Sequence, residues 1–157
     1  MRKRIIPQDT PQDPPIDQDW LDLERLGLVE ITSEDPAHPI ESALLSDTGS
    51  FWRASCPGEQ TIRLVFDQPL RIKCIRLKFH EEQHERTQEI ALRYSMDGGQ
   101  TYHLIVRQQY NLSPPETTCE IEEYTVDLDK VTVLELSIVP DISGGDVRAS
   151  LTGFQLA

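Results

Sequence analysis

The chain is poor in several things at once, and each shortage removes a class of function. No apolar run approaches the length of about 20 residues that a bilayer-spanning helix needs. Basic residues are scarce, with 15 Lys and Arg against 27 Asp and Glu, leaving a formal charge of -12. That balance works against attraction to phosphate backbones or anionic lipid, so neither nucleic acid nor a membrane surface is an expected partner. The only cysteines, Cys56, Cys74 and Cys119, are odd in number and lack the close spacing of a metal site. They read as reduced thiols of a reducing compartment. Met1-Arg2-Lys3-Arg4-Ile5-Ile6 starts like the basic end of a secretory signal but meets Pro7 before an apolar segment forms, so the cytoplasm is the expected address. No glycine-rich phosphate cradle is present, because Ser143-Gly144-Gly145-Asp146 falls between two strands without a helix behind it. Nothing assembles a nucleophile with a base, so a non-catalytic protein is expected.

What the chain does have is alternation and turns. Ile90, Leu92 and Tyr94 alternate before Ser95-Met96-Asp97-Gly98-Gly99-Gln100-Thr101-Tyr102, and His103 to Val106 resume an apolar run after it. The Asp-Gly-Gly centre tolerates positive φ, as a tight turn between antiparallel strands requires, so the segment predicts a β-hairpin. It also matches the Asp-box pattern S-x-D-x-G-x-T-(W/Y), a hairpin fold-back frequent in sugar-processing proteins and read here as a turn.

Residues 1–18 form an expected disordered tail rich in Pro, Gln and Asp, too poor in apolar side chains to repay the entropy of ordering. The rest, 19–157, is expected to be one domain, long enough to bury its own core. Asp19 to Leu26 predicts one or two helical turns capped by Asp19 and stopped at Gly27. From Leu28 onward strands are predicted near 29–32, 51–54, 61–66, 72–79, 89–95, 102–108, 119–127, 131–139 and 150–156. The apolar phase slips between Cys74 and Ile75, which predicts a β-bulge, and again between Val133 and Leu134. The fold class predicted is therefore all-β, an antiparallel jelly-roll β-sandwich of about eight strands. If successive strands alternate in direction, the connections 67–71, 96–101 and 128–130 share one end. Those at 55–60, 80–88, 109–118 and 140–149 share the other, and this end of longer loops is the expected binding surface.

The order of elements resembles the discoidin domain, the C-type domain of coagulation factors V and VIII, within the galactose-binding-domain-like jelly rolls. The resemblance is carried by Ile31-Thr32-Ser33, Ser42-Ala43-Leu44 and Ser50-Phe51-Trp52-Arg53-Ala54-Ser55, by Tyr94-Ser95-Met96-Asp97-Gly98 through Tyr102, and by Val147-Arg148-Ala149-Ser150-Leu151-Thr152-Gly153-Phe154. It covers residues 29 to 156. It implies a non-catalytic ligand-binding module, with carbohydrate the first expected ligand; the alternative is a protein interaction module of the intracellular scaffold type. It also implies that Trp52 is a core residue. Family members that hold calcium place carboxylates before the tryptophan and in the last strand. Here Asp47 and Ser50 match loop positions, but Leu45 and Ser150 stand where carboxylates are expected, so tight structural calcium is not expected and no other cofactor is implied. The fucose-binding pattern of a histidine followed by Arg-x-Asp is not carried over, since Val65 follows Arg63 at the aspartate position and only His38 and Arg63 remain.

Two readings compete for His80-Glu81-Glu82-Gln83-His84. The segment fits H-E-x-x-H, but that zinc motif needs a helix to turn both histidines one way, and the flanking pattern is that of strands. A charged loop is the expected state. The loop end as a whole offers His80, His84, Arg86, Tyr110, Asn111 and Arg148, donors of the kind that hold sugar hydroxyls, as candidate ligand-binding residues.

Overall fold

The computed structural model describes residues 20–45, 49–116 and 118–157. The expected tail at 1–18 and the calcium candidate Asp47 lie outside the described residues. The chain forms β1 (Gly27–Ile31), β2 (Trp52–Arg53), β3 (Gln60–His80), β4 (Arg86–Ser95), β5 (His103–Leu112), β6 (Cys119–Val139), β7 (Ser150–Leu151) and β8 (Gly153–Leu156). Two single-turn helices, α1 (Leu23–Leu26) and α2 (Glu41–Leu44), precede and follow β1. One sheet has the order β1-β3-β6-β4-β5 with β8 also on β3, and β2 pairs with β7; every pairing is antiparallel.

The fold is organised by the β3–β6 ribbon, paired from Gln60↔Ile138 to His80↔Cys119. The sequence predicts four strands here, 61–66, 72–79, 119–127 and 131–139; the structure has two, each running through the expected connection. Twenty-one residues of straight strand would span about 70 Å. Instead the ribbon doubles back. Val139 lies opposite Glu89, Arg86 donates to the carbonyl of Pro140, and Glu81 pairs with Arg86, so the His80 end returns to the Gln60 end. The corner is made by register shifts between Val65, Leu70, Ile72 and Cys74, with Lys130 at φ 55° on the other strand. Gln68-Pro69 contains no glycine to close a hairpin, and Pro69 cannot donate to a ladder, so the chain turns by bulging. The bulge expected between Cys74 and Ile75 falls one step earlier, as the register shift between Ile72 and Cys74, and the one expected between Val133 and Leu134 does not form, since both residues keep register with Val65 and Leu64.

Folding back makes two layers. The first half of β3 pairs with β1 and the second half with β8, and the core closes between them. Ile62 and Leu64 from one half meet Ile75, Leu77 and Phe79 from the other, with Phe154 and Trp52 in the same cluster. Trp52 is fully buried, and its indole N–H donates to the Ser33 carbonyl at 3.1 Å, which satisfies its polar atom.

The predicted hairpin is present. The buried Ser95 hydroxyl accepts from the amides of Asp97 (3.2 Å) and Gly99 (2.9 Å) and donates to Asp97 Oδ1 at 2.6 Å. Gly98 and Gly99 take φ of 74° and 94°. The Ser95 hydroxyl, helped by the Thr101 amide, holds the Asp97 carboxyl down to about 2. At the amino-terminal end helix α1 is shorter than predicted, and Asp22 rather than Asp19 stands at its cap, with no side-chain capping bond. Gly27 opens β1 in extended backbone, where a Cβ would fall 1.9 Å from the Val65 carbonyl oxygen. Glycine is there for that close approach.

Candidate functional site

The loops predicted to share one end do so, and backbone bonds tie them together. The Glu81 amide donates to the Thr118 carbonyl at 2.7 Å and the Ile142 amide to the Thr87 carbonyl at 2.9 Å. Arg86 adds a bond from Nη1 to the Pro140 carbonyl at 2.7 Å. At this end a cavity of about 480 Å³ opens beside the β2–β7 pair, within the usual range for small-molecule sites.

Strand parity builds the cavity wall. Trp52 points into the core, so its neighbours Phe51 and Arg53 project to the opposite side, and both line the cavity. Phe51 is half-buried and stacks against His38, with ring centroids 4.2 Å apart and planes inclined by 15°. Arg53 lies opposite Ser150 across the β2–β7 pair, and Arg148 and Asp146 approach from the loop before β7. The facing side comes from the end of β3 and its loop: His80, Glu82 and His84. His80 Nε2 is 2.9 Å from Glu82 Oε1 and Nδ1 is 3.1 Å from Cys119 Sγ. The Glu82 contact, then the Cys119 contact, raise the His80 pKa above its ordinary 6.5.

Of the residues singled out in the sequence, His80, His84, Arg148 and Ser50 therefore meet around one cavity. Asn111 and Arg86 border a separate polar hollow with Thr87, Ser113, Asp141 and Ser143, where Asn111 Oδ1 accepts from the Thr87 hydroxyl at 2.8 Å.

Two candidates occupy places the loop reading did not foresee. Tyr110 belongs to β5 and is buried, with its ring tilted against Phe79 and its phenol bonded to that of Tyr124. Burial and the Tyr124 bond push its pKa up. The hairpin strand is simply longer than predicted, and position 110 falls on its inner face. Arg86 is at the expected end, but its side chain is 1% exposed and donates to Glu81, Gln88 and Pro140. Such a guanidinium braces the loops rather than reaching outward.

Phe51, Arg53, Glu82 and Asp146 are among the cavity residues that the sequence reading did not single out. The signal for the first two was available, because placing Trp52 in the core places 51 and 53 on the outer side. For Glu82 and Asp146 the signal was the loop end alone, since irregular backbone has no period to say which of its side chains face inward. His80 ends a strand and His84 sits in irregular backbone, so the H-E-x-x-H segment does not form the helix that its zinc chemistry needs. Among the described residues no group of three or more His, Cys, Asp and Glu side chains is placed to hold a metal ion. No helix among the described residues is long and apolar enough to cross a membrane.

This architecture is an antiparallel jelly-roll β-sandwich. No protein-family model matches the chain, and no curated protein sequence does. Solved structures do match its shape. A family 32 carbohydrate-binding module of Clostridium perfringens NanJ, solved with galactose, superposes with a TM-score of 0.66 at 12% identity over 87% of this chain and 96% of that one. A family 32 module of a second C. perfringens protein, CpGH89, solved with GalNAc-β-1,3-galactose, gives 0.64 at 14% identity, covering 88% and 99%. The family 32 module of AlyQ, solved with 4,5-unsaturated mannuronic acid, gives 0.63 at 12%, covering 89% and 98%.

Proposed function

We propose that this chain is a non-catalytic carbohydrate-binding module and that the cavity bordered by Phe51, Arg53, His80, His84, Asp146 and Arg148 is its sugar site. The observation that carries the reading is the pairing, in one concave site, of an aromatic ring with donors and acceptors of both charges. A pyranose presents an apolar C–H face and a rim of hydroxyls; the first packs on an aromatic ring and the second bonds to charged side chains. The fold likeness to sugar-bound modules supports this reading. The three free cysteines support the cytoplasmic address expected from the sequence.

The test is a glycan array followed by calorimetry on the best ligand. Phe51→Ala and Arg148→Ala should each weaken binding at least tenfold, about 1.4 kcal/mol, while Gln100→Ala at the opposite end leaves it unchanged. An array blank for neutral and acidic sugars alike would overturn the proposal in favour of the protein-interaction alternative; full affinity in a protein carrying both Phe51→Ala and Arg148→Ala would overturn the assigned site.

A further inference from the structure

We propose that Cys119 is a nucleophilic thiol, activated by His80 and Glu82, that accepts small-molecule disulfides of the glutathione type in mixed-disulfide formation. Cys119 opens β6 and His80 closes β3, and the two are direct cross-strand partners at the end of the ribbon. Directly opposed side chains on antiparallel strands start about 5 Å apart at Cβ. Here the imidazole spans the remaining gap, with Nδ1 3.1 Å from the sulfur and Nε2 2.9 Å from Glu82 Oε1. A carboxylate accepting from Nε2–H leaves Nδ1 as the acceptor, aimed at the thiol, and the S–H proton passes to it. His80 lies between the other two, so the three form a relay rather than a metal-binding cluster.

The other thiols show what is particular to this one. Cys56 is also exposed, yet its neighbours are the neutral Ser33 hydroxyl at 3.9 Å and the Gln60 amide at 3.7 Å. Cys74 is buried. The groups that bear on Cys119 are His80, the Thr118 hydroxyl at 3.9 Å and the more distant charge of Glu82. The His80 bond first, with the Thr118 hydroxyl, outweighs burial and the opposing charge of Glu82 and lowers the thiol pKa below its ordinary 9.0. A larger thiolate fraction at neutral pH follows.

Disulfide exchange needs only that thiolate and access to it. Acyl transfer would also need amides aimed at an oxyanion, and the nearby amides are committed: Glu81 N–H donates to the Thr118 carbonyl and Gln83 N–H to Glu81 Oε2. In the exchange, the Cys119 sulfur attacks one sulfur of the incoming disulfide. A new S–S bond forms, the original one breaks, and the departing thiolate takes the proton held on His80. Cys119 is oxidised and the departing sulfur is reduced.

The experiment treats the reduced full chain with glutathione disulfide at pH 7 and follows each cysteine-containing peptide by mass spectrometry. Cys119 should gain one glutathionyl group at least tenfold faster than Cys56, with a rate–pH midpoint below the ordinary thiol value of 9.0. His80→Gln and Glu82→Gln should slow Cys119 severalfold and leave the Cys56 rate alone, with circular dichroism verifying the strand signal in each variant. Equal rates at the two cysteines would overturn the proposal, as would a His80→Gln protein of native spectrum whose Cys119 reacts at the wild-type rate. Sugar affinity plays no part in the readout, so the proposal and the assigned function fail independently.

Discussion

Arg86 donates from Nε to Glu81 Oε1 at 2.8 Å, from a side chain that is almost wholly withdrawn from solvent. The same guanidinium reaches the Pro140 carbonyl, so one residue ties the loop after β3 to the loop after β6. Removing it leaves a partly buried carboxylate without its ion-pair partner and the Pro140 carbonyl without its donor. Arg86→Met should therefore destabilise the protein by about 3 kcal/mol, measured by urea unfolding. Burial pushes the Glu81 carboxyl up, but the Gln83 amide and Arg86 outweigh it and hold the pKa below its ordinary 4.5. Stability from this group is present above pH 4.5 and is lost as pH falls through the lower folded value. The wild type should lose stability in that acid window, and Arg86→Met should lose less of it; parallel curves for the two proteins would refute the assignment.

The hairpin turn offers a test at the opposite end. Ser95→Ala strands the amides of Asp97 and Gly99, both of which donate to the Ser95 hydroxyl. A loss of about 2 kcal/mol is expected, seen as a fall of several degrees in Tm. Sugar affinity should stay as in the wild type, because the turn lies across the sandwich from the cavity. A weakened affinity would place the site wrongly.

Glu122 and Glu120 share one face of β6. Burial first, then the bond to and the charge of Glu120, push Glu122 up from 4.5 to about 7. For a carboxyl raised on folding, the native state holds the proton more tightly, so its contribution is complete below pH 4.5 and is lost as pH rises through about 7. Glu122→Gln should raise Tm at pH 8 and leave it unchanged at pH 4. Thermal melts across pH 4 to 8 check this, and a variant with the wild-type slope would count against it.

Calcium can be tested without mutation. Ser150 stands where a carboxylate is expected and lines the cavity, and Leu45 is 41% exposed with no side-chain oxygen to offer. Chelation should leave Tm within experimental error. A drop of several degrees, reversed by adding calcium, would reveal a bound ion through linkage.

Period-two alternation and the Asp-Gly-Gly turn were sufficient to read an all-β antiparallel chain, because both are local consequences of backbone geometry. Alternation of strand direction was enough to gather the loops at 80–88, 109–118 and 140–149 at one end, since direction reverses whichever neighbours a strand finally takes. Local rules could not show that β3 and β6 are single strands bent around a corner, because the bulges that replace the expected turns are stabilised by the opposite strand. The same limit governs the side chains of the site. Tyr110 and Arg86 look like exposed loop donors in the sequence and are buried by Phe79, Tyr124 and Pro140. His80 and Cys119, 39 positions apart, meet only through the ribbon's register. Which donors face solvent and which thiol meets an imidazole depend on cross-strand neighbours distant in the chain, and tertiary packing alone brings them together.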